Sequence, residues 1–408
     1  MRLPVALVLA VVAAEAAVVL LRPRDGVIKP DPVRATSYFS QAEISRAQDF
    51  GRPQLALYGG TLAVELGLLV WLVRRPPRAL RGHGRRRHPL LAASVAGAAL
   101  SAGLTVATLP ISAISRQRAK DVGLVTQSWG GWGEDVAKSL AIQAALTGLG
   151  AALLVALARR YPRNWWLPAS GVVVAAGVIF TYAGPVVLDP VFNKFTPLKG
   201  QARADVMELA KKAGVHVGDV YEVDASRRTT AANAYVNGLG STKRVVVYDT
   251  LLKSFTRDER RLVLAHELGH VHYKDVPRGL LYLLLVAPFG MFAVAKLTER
   301  LDEGGGRRLG AHSVPAVALS LALVGTAVTT ISNQLSRRVE ARADSFALQI
   351  THQPQPFIAF ERKITLQNVA DPEPPGWVHW LLGTHPTTLE RIGAAVAVER
   401  QNGTAGPQ

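Results

Sequence analysis

The chain has 408 residues, 47 Lys+Arg against 30 Asp+Glu, no cysteine and 49% hydrophobic residues. It is too apolar for a disordered chain, and without cysteine it excludes disulfide scaffolds, thiolate catalysis and Cys-type zinc ligation. The net charge of +17 lies between long apolar stretches, where basic residues face anionic lipid headgroups, so membrane lipids are the expected partner and nucleic acid is not.

Seven stretches are long and apolar enough to cross a bilayer, which takes about 20 helical residues. They lie near 4–21, 54–73, 89–111, 140–157, 165–188, 280–297 and 314–331. In the first, Ala14-Glu15-Ala16 resembles a signal-peptide cleavage site, but the apolar run continues through Val18-Val19-Leu20-Leu21, so an uncleaved anchor is expected. The densest charge run, Arg81-Gly82-His83-Gly84-Arg85-Arg86-Arg87, reads as a loop that sets topology. Trp165 and Trp166 fit an interfacial belt at the start of the fifth span.

Two polar tracts remain, 189–277 between spans five and six and 333–408 after span seven, and together they suit one modest domain against the membrane. Within them 201–213 reads as a helix, 220–223, 231–237 and 244–248 as short strands, and 258–274 as a helix running towards the sixth span. The end, 401–408, is expected to fray.

The strongest chemical signal is His266-Glu267-Leu268-Gly269-His270. Residues four apart share a helix face, so both imidazoles can reach one metal ion, and Glu267 beside them can take a proton from a water that the metal activates. Zinc suits two imidazoles and a carboxylate. A chance match of this pattern is expected in roughly one such chain per hundred, so a third ligand matters. Glu340 stands out in Arg338-Val339-Glu340-Ala341-Arg342-Ala343-Asp344, just after the seventh span. Asp344, one turn further on the same face, could hydrogen-bond a ligating histidine. The alternative makes both acids part of a solvated, Arg-rich helix face. Two spans separate His270 from Glu340, so both return to the same side of the membrane. At about 1.5 Å per helical residue, a metal between them would sit within about 15 Å of the membrane boundary, which favours a substrate presented there.

His266–His270 with Glu340 and Asp344 resembles the zinc-dependent CAAX prenyl-protein endopeptidases, which are integral membrane enzymes. Gly123-Leu124-Val125-Thr126-Gln127-Ser128-Trp129 is similar to the family's amino-terminal membrane motif, and Phe192-Asn193-Lys194-Phe195-Thr196-Pro197-Leu198 to the opening of its protease domain. Ala232-Asn233-Ala234-Tyr235 and 244–252 resemble its substrate-side strands, and His385-Pro386 through Arg391-Ile392 its carboxy-terminal motif. The resemblance covers nearly the whole chain.

It implies a mainly α, seven-span helical membrane protein with a zincin-type metalloprotease domain containing a small β-sheet. Spans one to five would occupy 1–188, the protease domain 189–277 and 333–408, and spans six and seven 278–332. One zinc would be held by His266, His270 and Glu340, with Glu267 as general base and Asp344 as a supporting or proton-donating acid. His385 would stabilise the oxyanion or bind substrate. Asn233 would hold the substrate backbone, Tyr235 would lie on the substrate side, and Arg391 would support the site. It also implies a large water-filled chamber and a substrate added as an extra strand at a sheet edge. Glu15 and Glu65, inside apolar spans, would then line the chamber; helix packing or snorkelling are the alternatives.

The substrate implied is a membrane-associated protein, prenylated or otherwise lipid-modified, cut near its carboxy-terminus. An HtpX-like quality-control protease and a non-catalytic zinc scaffold are the alternatives. A site-two-type intramembrane protease fits less well, because charged residues closely flank the motif. The short loops at 74–88 (seven arginines, no acid), 158–164 and 300–308 favour the cytoplasm for that end, which places the catalytic face outside; the resemblance implies a cytosolic face. His272 lies about 200° round the helix from His270 and should miss the metal. His83, His88, His216, His312, His352 and His379 lack ligand spacing, and Ser170 reads as packing.

Overall fold

The computed structural model describes residues 2–80, 88–302 and 309–403; the basic run at 81–87 with His83, Arg307 and Arg308, and the chain end at 404–408 lie outside the described residues. Five long helices come first: α1 (Leu3–Leu21), α2 (Gln41–Arg74), α3 (Pro89–Asp121), α4 (Trp129–Arg160) and α5 (Trp166–Val187), followed by the single turn α6 (Asp189–Phe192). The polar tract folds as β1 (Phe195–Pro197), α7 (Gly200–Lys212), β2 (Asp219–Val223), β3 (Ala234–Asn237), β4 (Arg244–Tyr248), α8 (Asp249–Ser254) and α9 (Arg257–His272). Then come α10 (Asp275–Leu301) and α11 (Val314–Thr351), and last α12 (Pro354–Gln367), α13 (Gly376–Leu382) and α14 (Thr388–Gln401).

Among the described residues, seven helices are long and apolar enough to cross a membrane, and they are the seven stretches expected from hydropathy. Val8, Leu91, Leu149 and Ile179 are among many large apolar side chains left exposed on them, a surface that suits lipid and not water. The protein is thus a mainly helical, multi-pass integral membrane protein with one small sheet. α3 and α4 pack backbone to backbone: a Cβ on Gly97 would lie 2.7 Å from the Thr147 carbonyl oxygen, and one on Gly148 3.0 Å from that of Ser94. Small residues let membrane helices approach this closely. A cavity of about 1460 Å³ lies among α2, α3, α4, α5, α10 and α11, with Glu65, Thr105, Asp135 and Gln143 among its lining. Glu15 instead accepts a 3.2 Å hydrogen bond from Gln334 on α11, which is a helix-packing role.

The four strands run in the order β1-β2-β4-β3, with β2 and β4 parallel and the outer pairs antiparallel. β1 has no counterpart in the sequence reading, being three residues long and mostly exposed. β3 starts at Ala234 and not at 231, since residues 231–233 form no ladder. One sheet face buries Ala234, Val245 and Val247 against Leu209 of α7, Leu264 and Leu268 of α9 and Phe346 of α11. By strand alternation the opposite face carries Tyr235, Val246 and Tyr248.

α9 starts on a capping box in which Thr256 accepts from the Glu259 amide and Glu259 from the Thr256 amide. It ends at His272, where Lys274 takes a left-handed conformation (φ 57°) and turns the chain into α10. The polar helix expected after span seven is not separate. α11 runs unbroken for 38 residues, about 57 Å, because no Gly or Pro interrupts 331–351. The α3–α4 loop is clasped to the chain before β3: the Thr126 amide donates to the Arg228 carbonyl (3.1 Å), the Thr230 amide to that of Leu124 (3.1 Å), and Arg228 pairs with Asp135 at 2.7 Å.

Candidate metal centre

α9 and α11 cross at Gly269, where a Cβ would sit 3.2 Å from the Phe346 ring and 3.4 Å from the Ala343 Cα. The glycine of the motif thus lets the two helices meet. His266, one turn before it, and His270, next to it on α9, face Glu340 of α11. The two Nε2 atoms are 3.2 Å apart, and Glu340 Oε2 is 3.2 Å from His266 Nε2 and 3.6 Å from His270 Nε2. Each offers one ligand atom, all within 4.8 Å of one another.

Both outer ring nitrogens are taken. His266 Nδ1 is 2.8 Å from Asp344 Oδ1, and His270 Nδ1 is 3.0 Å from Asp275 Oδ2. Carboxylates there hold the proton on Nδ1 and leave the Nε2 lone pairs facing inward. Glu340 Oε2 is buried yet makes no hydrogen bond. Tetrahedral zinc with bonds of about 2.0–2.1 Å needs ligand atoms roughly 3.3 Å apart. The triangle of two imidazole nitrogens and one carboxylate oxygen fits that size and that chemistry.

The supporting shell is paired twice over. Arg391 of α14 donates to Asp344 through Nε (2.8 Å) and Nη2 (2.6 Å), and its Nη1 is 2.9 Å from Glu361 on α12. Asp344 and Glu361 are 2% and 1% exposed, so Arg391 is the counter-charge for two buried acids. Burial pushes the Glu361 carboxyl up to about 7 against the pull of Arg391. On the other flank, Arg342 donates to Asp275 at 2.5 Å, with its guanidinium 3.9 Å over the Tyr273 ring.

Glu267 points to the free edge of β3, where its Oε2 accepts from the Val236 amide at 3.3 Å. Burial raises its pKa from the ordinary carboxylate value, opposed by the two neighbouring imidazoles. His385, on the loop between α13 and α14, brings Nε2 within 3.2 Å of Glu340 Oε2 and holds Nδ1 against the Thr384 hydroxyl at 2.9 Å.

Of the residues named from sequence, His266, Glu267, His270, Glu340, Asp344, His385 and Arg391 are thus brought together. Asn233 is exposed just before β3, and its carbonyl accepts from the Tyr248 amide. Tyr235 is not brought to the histidines, because its ring lies edge-on to Tyr248 on the sheet face away from α9. His272 turns away, with Nδ1 2.8 Å from the Ala213 carbonyl, and Ser170 Oγ donates to the Leu167 carbonyl at 2.7 Å. Sequence reasoning missed Asp275, Arg342, Glu361, Asn333 and Arg337. For the last two a signal existed: Asn333, Arg337 and Glu340 repeat at i, i+4, i+7 on one face of α11.

Residues 198–399 match the model of peptidase family M48, and residues 29–194 that of the CAAX prenyl protease N-terminal region, five membrane helices. The uncharacterized metalloprotease YhfN of Bacillus subtilis (strain 168) is 33% identical over 300 residues, 72% of this chain and 70% of its own. The chain belongs to the M48 peptidases of the CAAX prenyl protease type. It is a membrane metalloprotease, and this family works with a metal ion, generally zinc, on peptide or protein substrates. The probable CAAX prenyl protease 1 of Schizosaccharomyces pombe is 30% identical over 53% of this chain and 47% of its own. The rice CAAX prenyl protease 1 homolog is 29% identical over 55% and 54%. The matched region thus spans about half the length of these eukaryotic relatives. The crystal structure of S. mikatae Ste24p superposes with a TM-score of 0.76 at 19% identity, covering 96% of this chain and 98% of that one. The two share a fold.

Proposed function

We propose that this protein is a zinc endopeptidase that cuts membrane-associated proteins near their carboxy-terminus, with lipid-modified chains as the preferred substrates. The observation that carries the reading is the convergence of His266, His270 and Glu340 on one point beside Glu267 and the open edge of β3. His266, His270 and Glu340 would hold a zinc ion, which when bound would supply Lewis acidity for the scissile carbonyl and acidify a water. The chain's own residues do the rest.

Ala234 and Val236 present backbone groups at the free edge of β3, since Tyr235 and Asn237 alternate towards β4. A peptide laid along that edge takes up these groups as an added strand and runs past Glu267. Glu267 removes the water's proton and returns it to the leaving amine. The carboxylate suits the task because burial raises its basicity above that of a solvated one. His385 donates from Nε2 to the oxygen that gains charge, and Asp344 and Asp275 keep the ligating imidazoles in the right tautomer. Lipid modification follows from the relatives named as CAAX prenyl proteases.

Purified protein in detergent should be given a farnesylated carboxy-terminal peptide and its unprenylated twin. The expected result is cleavage of the farnesylated peptide at least tenfold faster. Equal rates would keep the protease and refute lipid preference, pointing to general proteolysis of membrane proteins. Cleavage of neither would count against the reading as a whole.

A further inference from the structure

α13 poses a packing problem. It has seven residues, none fully buried and only Val378, His379 and Leu381 half-buried, so hydrophobic burial holds it only weakly. Yet the loop that follows it must place His385 Nε2 within 3.2 Å of Glu340. Two side chains of α11 anchor it. Asn333, itself 5% exposed, donates to the Leu381 carbonyl at 2.8 Å. Arg337 Nη1 donates to the Gly383 carbonyl at 2.7 Å and to that of His379 at 3.3 Å. Leu381 lies in the last turn of α13 and Gly383 is its C-cap, where carbonyls lack intrahelical partners, whereas the His379 carbonyl already accepts from the Gly383 amide at 2.9 Å. Both anchors therefore meet needs that the short helix cannot meet itself. The anchored stretch ends two residues before His385.

We infer that Arg337, backed by Asn333, is the positioning residue for His385. Asn333, Arg337 and Glu340 stand on one face of α11, so a single rigid helix sets both the third ligand and, through Arg337, the donor aimed at the developing oxyanion. The inference rests on the site reading above, because it matters to the rate only if His385 acts there. Displacing such a donor by about 1 Å can cost as much as 10²-fold.

The test is a double-mutant cycle on Arg337→Gln and His385→Ala, reading kcat, KM and zinc content in detergent. Arg337→Gln alone should lower kcat by about 10- to 100-fold, with KM within about twofold and zinc unchanged. In the His385→Ala background the same change should cost less than about twofold, because the residue it positions is gone. Arg337→Lys should recover part of the rate. Equal fold-losses in the two backgrounds, or loss of zinc in Arg337→Gln, would overturn the proposal. Full activity of His385→Ala would overturn the site reading and the proposal with it.

Discussion

Glu267→Gln is expected to abolish turnover, lowering kcat by about 10²–10⁴-fold, while zinc content stays that of the wild type. Gln is isosteric and its carbonyl can still accept from the Val236 amide, which Glu267 meets at 3.3 Å. None of the three convergent ligand atoms is altered, nor are the carboxylates that hold the ligating rings. What disappears is the group that carries a proton from water to amine. A variant that keeps both zinc and full activity would remove Glu267 from the mechanism. A variant that loses zinc would show the side chain acting on the fold of the site.

Arg391→Ala should be the most damaging change to stability, on the order of 3–5 kcal/mol, the usual cost of leaving a buried charge without its partner. It strips the counter-charge from Asp344 and Glu361 together. The loss should also depend on pH, and the sign follows from Glu361. Burial raises its folded pKa to about 7 from the ordinary 4.5, so its protonated form favours the fold and that benefit fades as pH rises towards 7. Without Arg391 the folded pKa climbs further, and the penalty for ionising the acid extends above pH 7. The gap in thermal midpoint between wild type and variant, followed by intrinsic tryptophan fluorescence, should therefore widen from pH 6 to pH 8. A gap that narrows would mean that Glu361 is ionised and satisfied by other groups.

The sequence made the seven spans, the HExxH helix and the ligand candidate Glu340 legible for simple physical reasons. Spans need about 20 apolar residues, ligands on one helix need a spacing of four, and an even number of spans must separate residues that share a side. It hid what depends on how the elements are turned against each other. Asp275 lies only five residues past His270, but the left-handed Lys274 between them reverses the chain and swings the carboxylate back onto His270 Nδ1. Glu361 looks like an ordinary polar position of an amphipathic helix until α14 lays Arg391 over it. Tyr235 shows how side-chain direction depends on the sheet. Resemblance put it on the substrate side, whereas strand alternation turns its ring to the far face of the sheet. Asn333 and Arg337 repeat with Glu340 on one face of α11, but that spacing does not name their partners, which are backbone carbonyls about 45 residues away.

The most direct test of the central claim is the zinc dependence of cleavage. Wild type and His270→Ala, purified in the same detergent, should be stripped with a chelator and titrated with zinc while peptide cleavage and bound metal are recorded. Wild-type cleavage should vanish with the metal and return fully at one zinc per chain, while His270→Ala should neither retain zinc nor recover. Cleavage that persists in the stripped wild type, or one full zinc in His270→Ala, would contradict that claim.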